Sequence, residues 1–276
     1  MGKLPDYIHE IPLTDFVKEH LKETNQDCQN YVESIRKYGD TVMNLFLLDC
    51  YFREMKDTAK LENAYYSDEL LDFYDNVFVH QSNISENLIK NLQAAVIDGH
   101  FKDAVHVGEY RTGPAWIGKP GCSISDARFV AIPAEEISDC MKEFISFYNT
   151  PDNQHAFIKG AIAHVLFTNI HPFNDGNGRV SRILQEQKMT DMYGEKLHIT
   201  FQYPLLNLSC NYKLTRGNYY QYQNNIYLGK KDISIEDWNK WFNYVLNMLD
   251  EQLYYLGNKI KKREKDLKIL QKRYGC

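Results

Sequence analysis

The sequence predicts an all-α fold carrying one short β-hairpin. Apolar residues recur at three- and four-residue intervals along almost the whole chain, the spacing of a buried helix face. Strand signals are confined to one stretch, Ala127-Arg128-Phe129-Val130-Ala131-Ile132, which alternates in part and ends at Pro133. No internal repeat and no low-complexity linker divides the 276 residues, so one compact domain with helical extensions is the simplest organisation.

The helical stripes follow one another in order. Tyr31, Val32, Ile35, Val42, Leu45 and Phe46 form the first, with one gap. Ile84, Leu88, Ile89, Leu92 and Val96 form the second, and Gly99 supplies its stop. Ile137, Met141, Phe144, Ile145 and Tyr148 mark a third. Phe157, Ile158, Ala161, Ile162, Val165 and Leu166 make the most apolar stripe, expected to be the central helix. Val180, Ile183 and Leu184 start a helix directly after a glycine-rich loop. Ser234-Ile235-Glu236-Asp237 has the form of a capping box with Asp in place of Glu, and opens a long helix carrying Trp238, Trp241, Phe242, Val245 and Leu249. From Leu249 the seam continues through Leu253, Leu256, Ile260, Arg263, Leu267 and Leu270, a heptad pattern with one Arg interruption. Five of the seven residues from Lys259 to Lys265 are basic. A packing helix or short coiled coil accounts for them more simply than a nucleic-acid site.

Composition narrows the classes. A hydrophobic fraction of 43% and an aromatic fraction of 13% describe an ordinary globular chain. The net charge of −5 gives no general pull toward nucleic acid or anionic membrane. No stretch approaches the roughly 20 apolar residues of a membrane span. Leu45 to Leu48 is short and lies inside a helical pattern. The N-terminus has no apolar signal core, and Gly2 is a poor myristoylation match because position 6 is Asp. Cys28, Cys50, Cys122, Cys140, Cys210 and Cys276 are scattered, none in a C-x-x-C pair, which fits free thiols in a reducing compartment. A cytoplasmic location follows by default.

The chemistry concentrates in His171-Pro172-Phe173-Asn174-Asp175-Gly176-Asn177-Gly178-Arg179 together with Arg182. Two glycines flanking an asparagine allow positive φ at successive positions and turn backbone N–H groups into one anion-binding concavity. A helix beginning near Arg179 adds its positive end to the same spot. Arg179 and Arg182 lie three apart and can project from one side of its first turn, where their forks suit phosphate oxygens. Asp175 offers a hard oxygen of the kind that holds Mg²⁺ against phosphates. No G-K-[ST] follows, so this is not a Walker loop. A neutral His171 can take a proton from an attacking hydroxyl. Phe173 anchors the loop and Pro172 stiffens it. An isolated D-G-N-G is an ordinary turn; the whole string with two spaced arginines is far more specific.

The string resembles the Fic family signature H-x-F-x-[DE]-G-N-G-R-x-x-R at every defined position. Gly108-Glu109-Tyr110-Arg111-Thr112 and Trp116-Ile117-Gly118 resemble the stretch upstream of that loop, and Ala127-Arg128-Phe129-Val130 falls where the family's flap begins. Pro204-Leu205-Leu206-Asn207-Leu208-Ser209 and Asn218-Tyr219-Tyr220 resemble the segment after the core. The likeness reaches from about residue 80 to 250. It implies a Fic-type helical bundle with a β-hairpin flap: an N-terminal helical region over 1–79, a core over 80–230 and a C-terminal helical extension over 231–276. It also implies transfer of AMP from ATP to a Ser, Thr or Tyr hydroxyl of a protein target. On that resemblance His171 is the general base, Asp175 holds Mg²⁺, and Gly176, Asn177 and Gly178 cradle the α- and β-phosphates. Arg179 contacts the phosphate tail and Arg182 the γ-phosphate. The flap residues Ala127, Arg128, Phe129 and Val130 dock an extended target segment by edge pairing. A homodimer stays open.

The family also has an inhibitory pattern, [ST]-x-x-x-E-[GN], which Thr58-Ala59-Lys60-Leu61-Glu62-Asn63 resembles. It implies that Glu62 occupies Arg182 and that Asn63 ends its helix as a C-cap. Alternatives keep the fold: UMP transfer, phosphotransfer, AMP removal by a water near Glu62, or nucleotide sensing without catalysis. Gly176 and Arg179 argue against phosphotransfer, and His171 argues against sensing alone. Several relatives carry a winged-helix domain after the core; Cys276 comes too soon for one, so DNA binding is not expected.

Overall fold

The computed structural model describes residues 4–64, 83–97, 106–119, 121–197, 205–227 and 233–274. Gly99, Pro204 and Cys276, singled out above, lie outside the described residues. Ten α-helices are present among them: α1 (Asp15–Arg36), α2 (Asp40–Leu61), α3 (Glu86–Val96), α4 (Ile137–Asn149), α5 (Ala156–Ile170), α6 (Asn177–Leu197), α7 (Leu208–Leu214), α8 (Arg216–Asn225), α9 (Ile235–Lys262) and α10 (Glu264–Tyr274). Two short strands, β1 (Trp116–Ile117) and β2 (Phe129–Val130), pair antiparallel, with Trp116 opposite Val130 and Ile117 opposite Phe129. The expected all-α fold with one hairpin is what forms.

The caps explain the boundaries. Thr14 and Ser85 accept the first-turn N–H groups of Val17 and Leu88. Ser234 accepts the N–H of Asp237 at 3.0 Å and donates to that residue's carboxylate at 2.8 Å. The shorter Asp thus closes the cap on the serine hydroxyl rather than on its backbone. The first stripe is two helices, because Gly39 at φ 88° turns the chain between α1 and α2. Leu45 leaves the buried face and is 46% exposed. The seam at the C-terminus likewise breaks at Arg263. Leu249, Leu253, Leu256 and Ile260 are buried along α9, while Leu267 is buried from α10, which packs back on α2.

α5 is central and buried on all sides, so it shows no polar face. It packs along α6, with α4 and α9 against it, while α1 lies on α9 and α2 on α7. A continuous buried cluster contains residues of every one of these helices. The α5–α6 pair sets the site, because the loop between them carries the glycine-rich string. Their close approach is made at Gly160: a Cβ there would lie 2.8 Å from Met189 Cγ and 2.9 Å from the Gln185 carbonyl oxygen. No described helix is long and apolar enough to cross a membrane.

Gly160→Ala should therefore lower the unfolding free energy by about 1–3 kcal/mol, the usual cost of overpacking. Urea denaturation followed by circular dichroism measures it, and an unchanged midpoint would show that α5 and α6 separate freely.

Candidate functional site

His171 ends α5 in the left-handed conformation, at φ 51° and ψ 58°. The buried side chain of Arg111 holds this turn. Its Nε donates to the His171 carbonyl at 2.7 Å, and its guanidinium also reaches the carbonyls of Gly113, Ile132 and Ile170. One cation thus closes the C-terminus of α5, where helix carbonyls lack partners, and fastens the residues flanking the hairpin to it. On the imidazole, Nδ1 lies 3.2 Å from the Thr168 carbonyl. A carbonyl only accepts, so Nδ1 carries the proton and Nε2 keeps its lone pair. Burial lowers the His171 pKa to about 4, and the Arg111 charge pushes the same way, so the ring is a neutral base at ordinary pH.

The loop closes on Asn177, whose side-chain amide accepts the Phe173 N–H at 2.9 Å and donates to the Phe173 carbonyl at 2.7 Å. Gly176 takes φ 86°, and a Cβ there would also press on Val96 and Ile97 at 3.2 Å. Gly178 differs from the expectation of positive φ at both glycines. α6 begins at Asn177, two residues earlier than expected, and Gly178 lies in its first turn. Its glycine is needed for space, since a Cβ at 178 would collide with the Glu62 carboxylate. The first-turn N–H groups of α6, which have no intrahelical partners, thus lie beside a carboxylate.

That carboxylate reaches from the C-terminus of α2. Asn63 at φ 54° lets the chain turn, with Asn63 N–H on the Lys60 carbonyl at 3.2 Å and Ala64 N–H on the Ala59 carbonyl at 2.9 Å. These are the two bonds of a Schellman motif. Glu62 Oε1 lies 2.8 Å from Arg182 Nη2. Arg182 is 1% exposed, and its Nε donates to Thr58 Oγ1 at 2.7 Å while Nη1 reaches the Tyr219 hydroxyl at 3.4 Å. Burial works against its charge, and Glu62 with Tyr219 more than restores it. The Tyr219 hydroxyl continues to His164 Nε2 at 2.9 Å, a buried contact that sequence spacing did not suggest.

Asp175 and Arg179 sit across the loop from this pair. Asp175 Oδ1 accepts the Gly176 N–H at 2.6 Å, and Oδ2 lies 2.9 Å from Arg179 Nη2. Arg179 is 3% exposed and also donates to the Val96 carbonyl, so its guanidinium braces the loop from behind while Asp175 stays exposed. A cavity of about 430 Å³ is lined by Glu62, His171, Asp175, Gly176 to Gly178, the hairpin and α8. Phe129 of β2 closes on it, with its ring 6.1 Å from that of His171. No group of three or more His, Cys, Asp or Glu able to hold a metal ion occurs among the described residues. A single exposed carboxylate beside helix N–H groups fits Mg²⁺ shared with the phosphates of a bound nucleotide rather than an all-protein cage. Gln93, which holds the loop by donating to the Asp175 carbonyl and accepting from Gly108, was not among the expected site residues.

A family model described as Fic/DOC family matches residues 83–187. Its reach stops short of the expected limit near residue 250. Over 84 residues the chain is 30% identical to the protein adenylyltransferase fic-1 of Caenorhabditis elegans, a stretch that is 30% of this chain and 15% of that protein. In structure it resembles a Fic family protein from Desulfovibrio desulfuricans, with TM-score 0.68, 15% identity and coverage of 93% of this chain and 77% of the other. It also resembles Fic-1 from Caenorhabditis elegans, with TM-score 0.56, 17% identity and coverage of 90% and 73%. At those identities the structural likeness concerns the fold.

The depressed His171 pKa has a testable sign. Protonation favours the unfolded chain, whose histidine keeps the ordinary value near 6.5. The contribution to stability is complete above that value and is lost as the pH falls toward about 4. An NMR titration should find the His171 ring neutral down to roughly pH 5. A midpoint near 6.5 would mean the ring is freely solvated.

Proposed function

We propose that this chain, whose residues 83–187 match the Fic/DOC family model, transfers AMP from ATP to a Ser, Thr or Tyr hydroxyl of a protein target and is restrained by Glu62. The observation that carries the reading is the Glu62 carboxylate, seated at the N-terminus of α6 and paired with the buried Arg182. A helix N-terminus next to a buried arginine is a site for phosphate. Here an internal anion holds it.

In the proposed reaction the nucleotide's phosphates lie on the N–H groups of Gly176 to Gly178, with Arg182 on the γ-phosphate once Glu62 has moved away. Arg179 supports the phosphate tail through the loop it braces. Asp175 would hold Mg²⁺, which when bound supplies charge neutralisation to the phosphates. His171 Nε2 takes the proton of the target hydroxyl. The hydroxyl oxygen forms a bond to the α-phosphorus, the bond from that phosphorus to the bridging oxygen breaks, and pyrophosphate leaves with the electron pair. The flap, with Phe129 against His171, holds the target segment so that its hydroxyl meets the base. A cytoplasmic setting is part of the same proposal. Removal of AMP by a water beside Glu62 is the second reading, favoured by the same carboxylate facing the cavity.

With α-labelled ATP and Mg²⁺, His171→Ala should lose about two to four decades of transfer rate while still binding ATP. Full activity would remove His171 as the base, and lost ATP affinity would make it a binding residue.

Glu62→Gly should label itself faster than the wild type, and the added change Arg182→Ala should erase most of the gain, a coupling read by a double-mutant cycle. Because the variant leaves a buried guanidinium without its carboxylate, its Tm should fall and should recover with ATP and Mg²⁺. Labelling of Glu62→Gly at the wild-type level would show that the ion pair is structural only.

A further inference from the structure

Two arginines at the same cavity have no part in the transfer chemistry. Arg128 immediately precedes β2, and Arg216 opens α8. Both line the cavity, and both are exposed. Their guanidinium carbons lie over one ring, that of Tyr220, at 5.3 and 5.6 Å from its centroid. Among the described residues neither has a carboxylate partner. The acidic residues lining this cavity are Glu62 and Asp175, and each is paired with a different arginine, Arg182 and Arg179. The mouth of the site is therefore positive on a chain whose net charge is −5.

We propose that Arg128 and Arg216 together read a carboxylate, an Asp or Glu side chain of the target segment, two or three residues from the hydroxyl that is modified. Calling that segment a substrate rests on the transfer reading above; its binding does not. The position follows from the hairpin. Phe129, the neighbour of Arg128, puts its ring 6.1 Å from His171. A strand advances about 3.3 Å per residue, so a segment laid along the flap with its hydroxyl at the imidazole brings a residue two or three places away under the guanidinium pair. The chemistry follows from the forks: paired guanidinium groups match a carboxylate in two-point geometry, and Tyr220 supports both cations from below while offering no anion. The two charges belong to the flap and α8, whereas the features suited to nucleotide phosphate, the α6 N-terminus and Arg182, lie at the loop. Being exposed, the pair acts mainly on the choice and steering of the target and weakens with salt.

The test measures binding first. Two fluorescent peptides share a Tyr acceptor and differ only in carrying Asp or Lys two and three residues away. Polarisation follows their binding to the full chain and to the doubly changed Arg128→Glu, Arg216→Glu protein, whose substitutions fall at exposed positions. The wild type should bind the Asp peptide about tenfold more tightly, the doubly changed protein should prefer the Lys peptide, and Arg128→Gln with Arg216→Gln should show no preference. A fluorescent ATP analogue should bind all three within about twofold. Equal binding of the two peptides by the wild type overturns the proposal. So does a collapse of analogue binding in the charge-reversed protein with peptide preference unmoved, which would give the arginines to the nucleotide. Labelling by the Glu62→Gly protein separates the two readings. An Asp peptide bound with preference but never labelled sinks AMP transfer and leaves the carboxylate reader standing. Equal labelling of both peptides sinks the reader and leaves transfer standing.

Discussion

A fully buried guanidinium is the constraint on which the site is built. Arg182 is 1% exposed, and a charge in that position is tolerable only with partners on every donor. The chain supplies them from two elements: Thr58 and Glu62 from the end of α2, and Tyr219 from α8. The end of α2 is thereby locked against the first turns of α6. The requirement also explains Gly178, whose missing side chain leaves the space the carboxylate fills. On the proposed reading a nucleotide phosphate competes with Glu62 for a charge that must be neutralised by one of them. The pair is then balanced by construction: the folded chain is complete without ligand, and the ligand's anion can replace the internal one.

Arg111 solves the opposite problem. The α5 terminus presents carbonyls instead of N–H groups, and His171 must leave the helix in a left-handed turn that a non-glycine residue adopts only at a cost. Four carbonyls on one guanidinium offset that cost and tie the hairpin to His171. The same charge helps keep the imidazole neutral. Two buried arginines thus frame the loop, one fixing His171 and the hairpin, the other fixing the end of α2. Arg179 braces the loop between them through Asp175 and Val96.

Much of this was legible along the chain because it is written in short-range terms. Stripes at three- and four-residue spacing gave the helices, since a helix face repeats locally whatever it packs against. Phe129 and Val130 stood out because alternation is equally local. The loop string announced itself by residue types that only a tight turn at a helix start collects. The departures have equally local causes. Gly39 splits one stripe into two helices, Arg263 divides the seam, and Asn177 starts α6 early because its side chain closes the loop on Phe173.

The sequence by itself determined the helical class, the single hairpin, the place of the loop and the residue types gathered in it. Only the tertiary structure decided what each of those residues faces. Gly178 serves space rather than positive φ, and Arg179 turns behind the loop. Glu62 crosses 120 positions of chain to sit on α6. Arg128 of the hairpin and Arg216 of α8, far apart in sequence, meet over Tyr220. The reason is physical: periodicity and turn chemistry act within a few residues, whereas burial, charge pairing and cavity shape depend on which distant segments the packed core brings together.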